Sequence, residues 1–495
     1  MEKIKFGWAE ESIVPEGKKV KLAGQFYERI SDVVETPISV TAFAVECGGD
    51  AAIFCSCDLV NTSSKLLSLA KAKLEGDGVP LDKIMINAIH THTSMNYSGG
   101  SDTVNGSALG VLRDLMPDVK YEELVSYSGN DLLDGDAAAD FLAEKIATAV
   151  KGAWNARKEG FFATGFGRAA VGMCRRVFYT DGSAKMWGDT DTVTFTELEG
   201  GNDSGIELLY TFDEKKNLTG VIVNVACPAQ VLEHRSFISS DYFGKVKRNL
   251  RQIYGEAINL LALVSPAGDQ CPRDLVRWVE PESPINDPNI VRNNVTVRKA
   301  DPSMFDVKGC ELVARRITNE IVCAFDNIED DDYVGMTELV HKNIKMDMPL
   351  RRVTPKETEE AITAIKEFAA ENGDKPITFK ENARMHVYAG TVARSVVQEK
   401  IEALPIEVHI IKLGNIVFAT NPYELFLDYG NKIRARSKAS QTFLVQLSCG
   451  AHGYLPTEKA ERGSHYSAYV SSGDTGHEGG ELLVRKTLKE INELF

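Results

Sequence analysis

The chain has 495 residues, of which 43% are hydrophobic and 26% charged, with 40 Gly and 17 Pro. That composition excludes a disordered segment, a collagen-like repeat and a disulfide miniprotein, and the length suits one large enzyme domain or roughly two to four smaller ones. With 56 Lys+Arg against 71 Asp+Glu the net charge is −15, which argues against a polyanionic partner such as nucleic acid.

The first residues, MEKIKFGWAEESIVPEG, carry charges where a signal peptide needs an apolar stretch. The longest apolar runs, such as LLALV at 260–264, are too short to span a bilayer. Nine cysteines are scattered from Cys47 to Cys449 without a CxxC pair, the usage of reduced thiols. These features predict a cytoplasmic protein with no membrane insertion.

Three strand–helix–strand units follow one another along the chain. The first runs from AAIFCSC (51–57) through a helix at 64–75 to IMINAIH (84–90), with Ser63 or Ser64 as the cap and Gly76 as the stop. An amphipathic helix at 140–154 follows, with Leu142, Ile146, Ala149, Val150 and Trp154 on one face. The second unit runs from VIVNVA (221–226) through a helix ending near Gly255 to 258–264. Residues 273–335 begin polar and rich in Pro and Asp, which predicts an inserted loop over the site and then a helix. Thr354-Pro355-Lys356-Glu357 opens another helix with a capping box, and Gly373 closes it. The third unit runs from IVFAT (416–420) through 423–437 to TFLVQLS (442–448), and a helix docking through Leu483, Leu488 and Ile491 ends the chain. No linker or repeat divides the chain, so residues 1–495 read as a single domain of mixed α/β class. Apolar strands joined by helices predict parallel pairing with right-handed crossovers, and in such sheets ligands bind beyond the carboxyl ends of the strands.

The residues after those strand ends are therefore the candidates. His90 and His92, two apart at a strand exit, would project to one side and suit a metal such as zinc, or else merely bond neighbouring loops. Asp58, after the preceding strand, would orient an imidazole or cap the next helix. In Gly268-Asp269-Gln270-Cys271-Pro272, Cys271 is either a nucleophile or a small buried thiol, and Asp269 either an acid/base or a structural anchor. His234 either completes a metal site or sits on a solvated loop. Glu424 falls in a first helical turn, where the dipole favours it whether or not it binds metal, and Tyr454 would face the same mouth.

These segments resemble the neutral/alkaline non-lysosomal ceramidase family, in its N-terminal catalytic domain. Ala88-Ile89-His90-Thr91-His92-Thr93 is similar to its histidine motif, Cys174-Arg175-Arg176 with Asp181-Gly182 to its NRR…DG segment, and Asn224-Val225-Ala226-Cys227 to the start of its N-x-A-C-H-P element. Gly268-Asp269-Gln270-Cys271-Pro272 resembles its GDxSP motif, Pro422-Tyr423-Glu424 its PGE, and Gly453-Tyr454-Leu455-Pro456-Thr457 its GY-x-PT segment. The resemblance implies a mixed α/β fold and a zinc ion that activates water to hydrolyse an amide bond. It implies His90, Glu424 and Tyr454 as ligands, His92 at the substrate carbonyl, Cys271 in the family's serine position, and Arg175 and Arg176 lining or bracing the pocket.

The chain departs from the pattern at Cys227-Pro228-Ala229-Gln230, where the family's second histidine ligand is missing. Cys227, Gln230 or His234 would replace it, with His234 preferred. No counterpart of the family's C-terminal β-sandwich or export signal is expected, an expectation that favours a soluble small-molecule substrate over a membrane sphingolipid. The expectation is a zinc-dependent amide hydrolase. Its alternatives are a thiol hydrolase using Cys271, an inactive small-molecule-binding homologue, and the same scaffold acting on another polar substrate such as a sugar derivative.

Overall fold

In the computed structural model the described residues are 1–25, 27–120, 127–276 and 306–495. Strands β1 (Lys5–Ser12), β2 (Ser39–Cys47), β3 (Asp50–Cys57), β4 (Ile84–Ala88), β5 (Lys158–Arg168), β6 (Gly205–Asp213), β7 (Leu218–Val225) and β8 (Asn259–Val264) form an eight-stranded sheet. Its order is β8-β7-β6-β5-β1-β2-β3-β4, antiparallel through the middle and parallel only at the two ends, β7 with β8 and β3 with β4. A second sheet holds β9 (Leu339–Met348), β10 (Leu404–Leu413), β11 (Ile416–Thr420) and β12 (Gln441–Val445) in chain order, with the β11–β12 pair parallel.

All three predicted units therefore pair in parallel. Their strands are almost wholly buried, as continuous apolar runs require when both faces are covered. In the large sheet, β2–β3 and β6–β7 are local hairpins, while β5 pairs with β1 across a wide gap in sequence.

The helices are α1 (Ser64–Lys73), α2 (Ala108–Leu115), α3 (Gly135–Asn155), α4 (Asp241–Tyr254), α5 (Val307–Asp326), α6 (Pro355–Asn372), α7 (Phe379–Val397), α8 (Leu427–Arg436), α9 (Glu458–Gly463) and α10 (His477–Asn492). Ser63 caps α1 by accepting from Leu66 N, and Thr354 and Glu357 close the capping box of α6. Helix α3 starts earlier than its apolar stripe suggests and buries Leu142, Ile146, Ala149 and Val150. Of the predicted insertion, residues 277–305 lie outside the described residues, and α5 is the helix expected after them.

The two sheets share a core in which Phe54 of β3 packs on Phe418 of β11, ring centroids 5.1 Å apart. Helices α4 and α5 cover β6–β8 over a second cluster, and α8 and α10 cover β9–β12 over a third. A fourth, small cluster (Leu112, Met116, Ile365, Ile377, Met385 and Ala389) joins α2, α6 and α7 into a helical cap with its own core.

The carboxyl ends of the three parallel pairs meet. Ala88 N donates to Leu447 O at 3.1 Å, Gln446 N to Val264 O at 3.0 Å, and Ser265 N to Val225 O at 2.9 Å. Ser56 and Asn87 both donate to Ala262 O, at 2.6 and 3.3 Å, so the two end regions of the large sheet face each other. The loops that leave these ends are thus brought to one place. All nine cysteines are free, and every one but Cys323 is buried. No helix among the described residues is long and apolar enough to cross a membrane.

Candidate active site

His90 and His92 come together, but not as strand neighbours. The strand ends at Ala88, and His90 takes a left-handed backbone (φ 71°), so the chain turns and the two rings meet edge to face with Nε2 atoms 3.3 Å apart. His90 Nδ1 stands 2.8 Å from Val60 O. A carbonyl only accepts, so Nδ1 carries a proton, and Nε2 lies 3.4 Å from Glu424 Oε2. Asp58 does not orient this ring. Its carboxylate accepts from Ser39 N at 2.7 Å, and burial pushes it up to about 6.

Glu424 lies just outside the helix expected to contain it. It sits in a two-residue strand, Glu424–Leu425, paired in parallel with Tyr454–Leu455, and α8 begins only at Leu427. The reason is Asp269: its Oδ1 accepts from Leu427 N at 2.9 Å and anchors the first turn of α8 there. Burial pushes Asp269 up to about 6, and its backbone carbonyl accepts from Arg175 N at 2.9 Å. Asp269 holds together the segments carrying Glu424, Cys271 and Arg175.

Arg175 is buried and donates to Gly268 O at 2.9 Å, Tyr454 Oη at 3.3 Å and Gln230 Oε1 at 3.4 Å. Burial, with Glu424 and Tyr466 alongside, holds the Tyr454 phenol well above its usual range. Arg176 points elsewhere. It pairs with Glu199 at 2.7 Å and donates to the carbonyls of Ser464 and Tyr466, both at 2.7 Å, so it braces the loop that presents Tyr466.

The His92 side chain is 13% exposed, and among the described residues its Nδ1 has no hydrogen-bond partner, with Glu233 Oε2 3.9 Å away. Burial, helped by His90, pushes His92 down to about 3, so the ring is neutral at physiological pH. Glu233 was not singled out in the sequence, although it precedes His234 directly. Burial opposes its charge, but His234, with His92 and Arg175, outweighs that and brings it down to about 2. His234 Nε2 lies 3.1 Å from Glu233 Oε1, so Glu233 stands between His234 and His92. Cys271 is fully buried, bonded to Arg273 O at 3.3 Å, and burial pushes its thiol up to about 12.

A cavity of about 700 Å³ opens above Glu424 and Tyr454. Its walls are one face of α7 (Ala383, His386, Val387 and Gly390) and the aromatic loop of Tyr466 and Tyr469. Helix α7 is the part of the site that the motifs missed. Its signal was in the sequence as a second capping box, Thr378 with Glu381.

The donors at the floor suit a divalent cation: an imidazole nitrogen on a ring held through its Nδ1 and a carboxylate oxygen 3.4 Å from it, with a phenol on the neighbouring strand. His234 is not gathered with them. Among the described residues, one set of three His, Cys, Asp or Glu side chains has ligand atoms all within 4.8 Å of one another, and it is Glu407, His409 and Cys449, outside this site.

No protein-family model matches the chain, and no curated protein does. Among solved structures, neutral ceramidase from Pseudomonas aeruginosa is similar over 100% of this chain and 75% of its own, with a TM-score of 0.68 at 14% identity. A ceramidase complexed with C2 is similar over the same shares, with a TM-score of 0.66 at 13% identity. At such identities the likeness is one of fold, and on that ground the chain has the mixed α/β fold of neutral ceramidase.

Proposed function

We propose that the protein is a metal-dependent hydrolase that cleaves an amide or related acyl bond of a small-molecule substrate at the floor of the cavity. The observation that carries this reading is the meeting of His90 Nε2 and Glu424 Oε2, 3.4 Å apart, beside the Tyr454 phenol in the fold of neutral ceramidase. His90, Glu424 and Tyr454 would hold the ion, zinc by donor chemistry. When bound, it supplies Lewis acidity toward a carbonyl oxygen and acidifies water.

The chain's own groups supply the rest. His92, neutral and only slightly exposed, offers a ring N–H where an acyl oxygen gains negative charge. Glu233, 3.9 Å from its Nδ1, sets a carboxylate beside the ring. Arg175 keeps a fixed positive charge at Tyr454 and Gly268 and so favours the same charge development. The cavity accepts an N-acyl compound of drug-like size, and the aromatic wall at Tyr466 and Tyr469 suits an apolar acyl part. The setting proposed is the cytoplasm, in keeping with nine unpaired thiols.

A thiol hydrolase is disfavoured by the burial that keeps Cys271 protonated, since the nucleophile must be the thiolate. The test is metal analysis of purified protein together with hydrolysis of a panel of N-acyl compounds, for the wild type, His90→Ala and Glu424→Gln. A zinc ion that depends on His90 and Glu424 is expected, so each variant should hold one zinc fewer per chain than the wild type and lose turnover. Turnover that survives chelation overturns the metal reading, and a zinc-loaded protein that hydrolyses none of the panel points to the binding-only homologue.

A further inference from the structure

A second group of ligand-type side chains lies away from the cavity, where the two sheets meet. Glu407 and His409 are two apart on β10 and so share a face. Cys449 follows β12 with φ 58°, and its N donates to Ile86 O of β4 at 2.9 Å. His409 Nε2 is 2.9 Å from Glu407 Oε1 and 3.8 Å from Cys449 Sγ. His409 and Cys449 are buried, while the Glu407 side chain keeps 22% exposure, an entry path for an ion.

A relay of hydrogen bonds sets the direction of the His409 ring. His341 Nδ1 lies 2.8 Å from Ala51 O, which only accepts, so this nitrogen carries the proton. His341 Nε2 lies 2.8 Å from His409 Nδ1, and this contact fixes the His409 ring and turns its Nε2 toward a carboxylate oxygen and a sulfur. A ring held from behind through its other nitrogen is also how metal-binding histidines are oriented.

We propose that Glu407, His409 and Cys449 bind one thiophilic divalent cation of the zinc class, separate from the cavity floor, which ties β10 to the loop after β12. Sulfur, imidazole and carboxylate together select zinc or cobalt over magnesium or calcium, which take oxygen alone. Lys71 Nζ, 3.5 Å from Glu407 Oε1, and Asn343 Nδ2, 3.4 Å from it, hold the carboxylate from the solvent side, and the ammonium gives way when the cation binds. The bound ion stiffens the segment from Cys449 to Tyr454 and so steadies the cavity floor.

The test is cobalt(II) titration of the full-length metal-free protein, read by the thiolate-to-cobalt charge-transfer band in the near ultraviolet. The cavity floor has no thiol among its proposed ligands, so the band reports this site alone. A band that saturates within two equivalents in the wild type and at one in His90→Ala, and that is lost in Cys449→Ser, is expected, with circular dichroism confirming that both variants are folded. His341→Leu, which removes only the anchor behind His409, should weaken cobalt binding by about 10- to 100-fold. No band in the folded wild type at saturating cobalt means that a proton alone joins His409 and Glu407, and the proposal fails. A band that persists in folded Cys449→Ser overturns it as well.

Discussion

Glu424 and Tyr454 are register partners in a two-residue parallel ladder, and Glu424 N donates to the Gly453 carbonyl at 2.9 Å. Backbone pairing of this kind fixes the two side chains more tightly than two free loops would. Arg175 then reaches Tyr454 from a third segment, and Asp269 fastens α8 to the same ground. Rigidity at the floor contrasts with the cap above it, which has its own small core.

Thiol chemistry separates the readings of Cys271. Its burial and its thiol pushed up to about 12 predict no reaction with iodoacetamide in the folded protein near neutral pH, while the exposed Cys323 is alkylated. Peptide mass mapping after brief labelling checks this. Modification at Cys271 with loss of activity would revive the nucleophile reading.

The pair Arg394–Asp474 is fully buried at 3.0 Å. Arg394→Met leaves a carboxylate without its counter-charge and should cost about 3–5 kcal/mol in urea denaturation. Lys356→Met removes an exposed pair on α6 and should cost about 1 kcal/mol or less. Similar costs for the two would contradict this account of burial.

Asp58 has its pKa raised by burial from 3.8 to about 6. The fold prefers its neutral form, so the associated stability is fully present below about pH 4 and is lost as the pH rises through about 6. Asp58→Asn keeps an acceptor for Ser39 N without the charge. The variant should gain up to about 3 kcal/mol over the wild type at about pH 7.5, and clearly less at about pH 5. Denaturation at the two pH values decides it, and a pH-independent difference would count against buried ionisation.

Gly390 faces the cavity from α7, and a Cβ there would stand 2.7 Å from Ser471 Cβ. Gly390→Ala should push the helix off the 470–472 turn, destabilise the cap by about 1 kcal/mol or more, and raise KM several-fold with kcat little changed. Steady-state kinetics on a hydrolysed N-acyl substrate reads the split. An equal fall in kcat would place Gly390 closer to the chemistry than the structure does.

The parallel units were legible because each is local: an apolar run, a capped helix and a second apolar run, with Ser63 and Gly255 marking helix ends. The neighbours of β1 and β5 were not, since antiparallel partners far away in sequence leave no periodic trace. At the site, the search beyond strand ends led to His90, Glu424 and Tyr454, and the ceramidase resemblance to Arg175. The search misjudged the backbone at His90, where a left-handed turn replaces the strand, and at Glu424, where Asp269 delays the helix. Glu407 and His409 escaped notice although they repeat the two-apart spacing of His90 and His92, because their third partner, Cys449, comes from another strand end.

The cap is built around six buried side chains of its own rather than around the sheets. Such a unit can open while the floor stays formed, so amide protons of α6 and α7 should exchange by a subglobal route well ahead of those in β3 and β7. Selection on that cluster can then reshape what enters the molecule without disturbing the groups that would act on it.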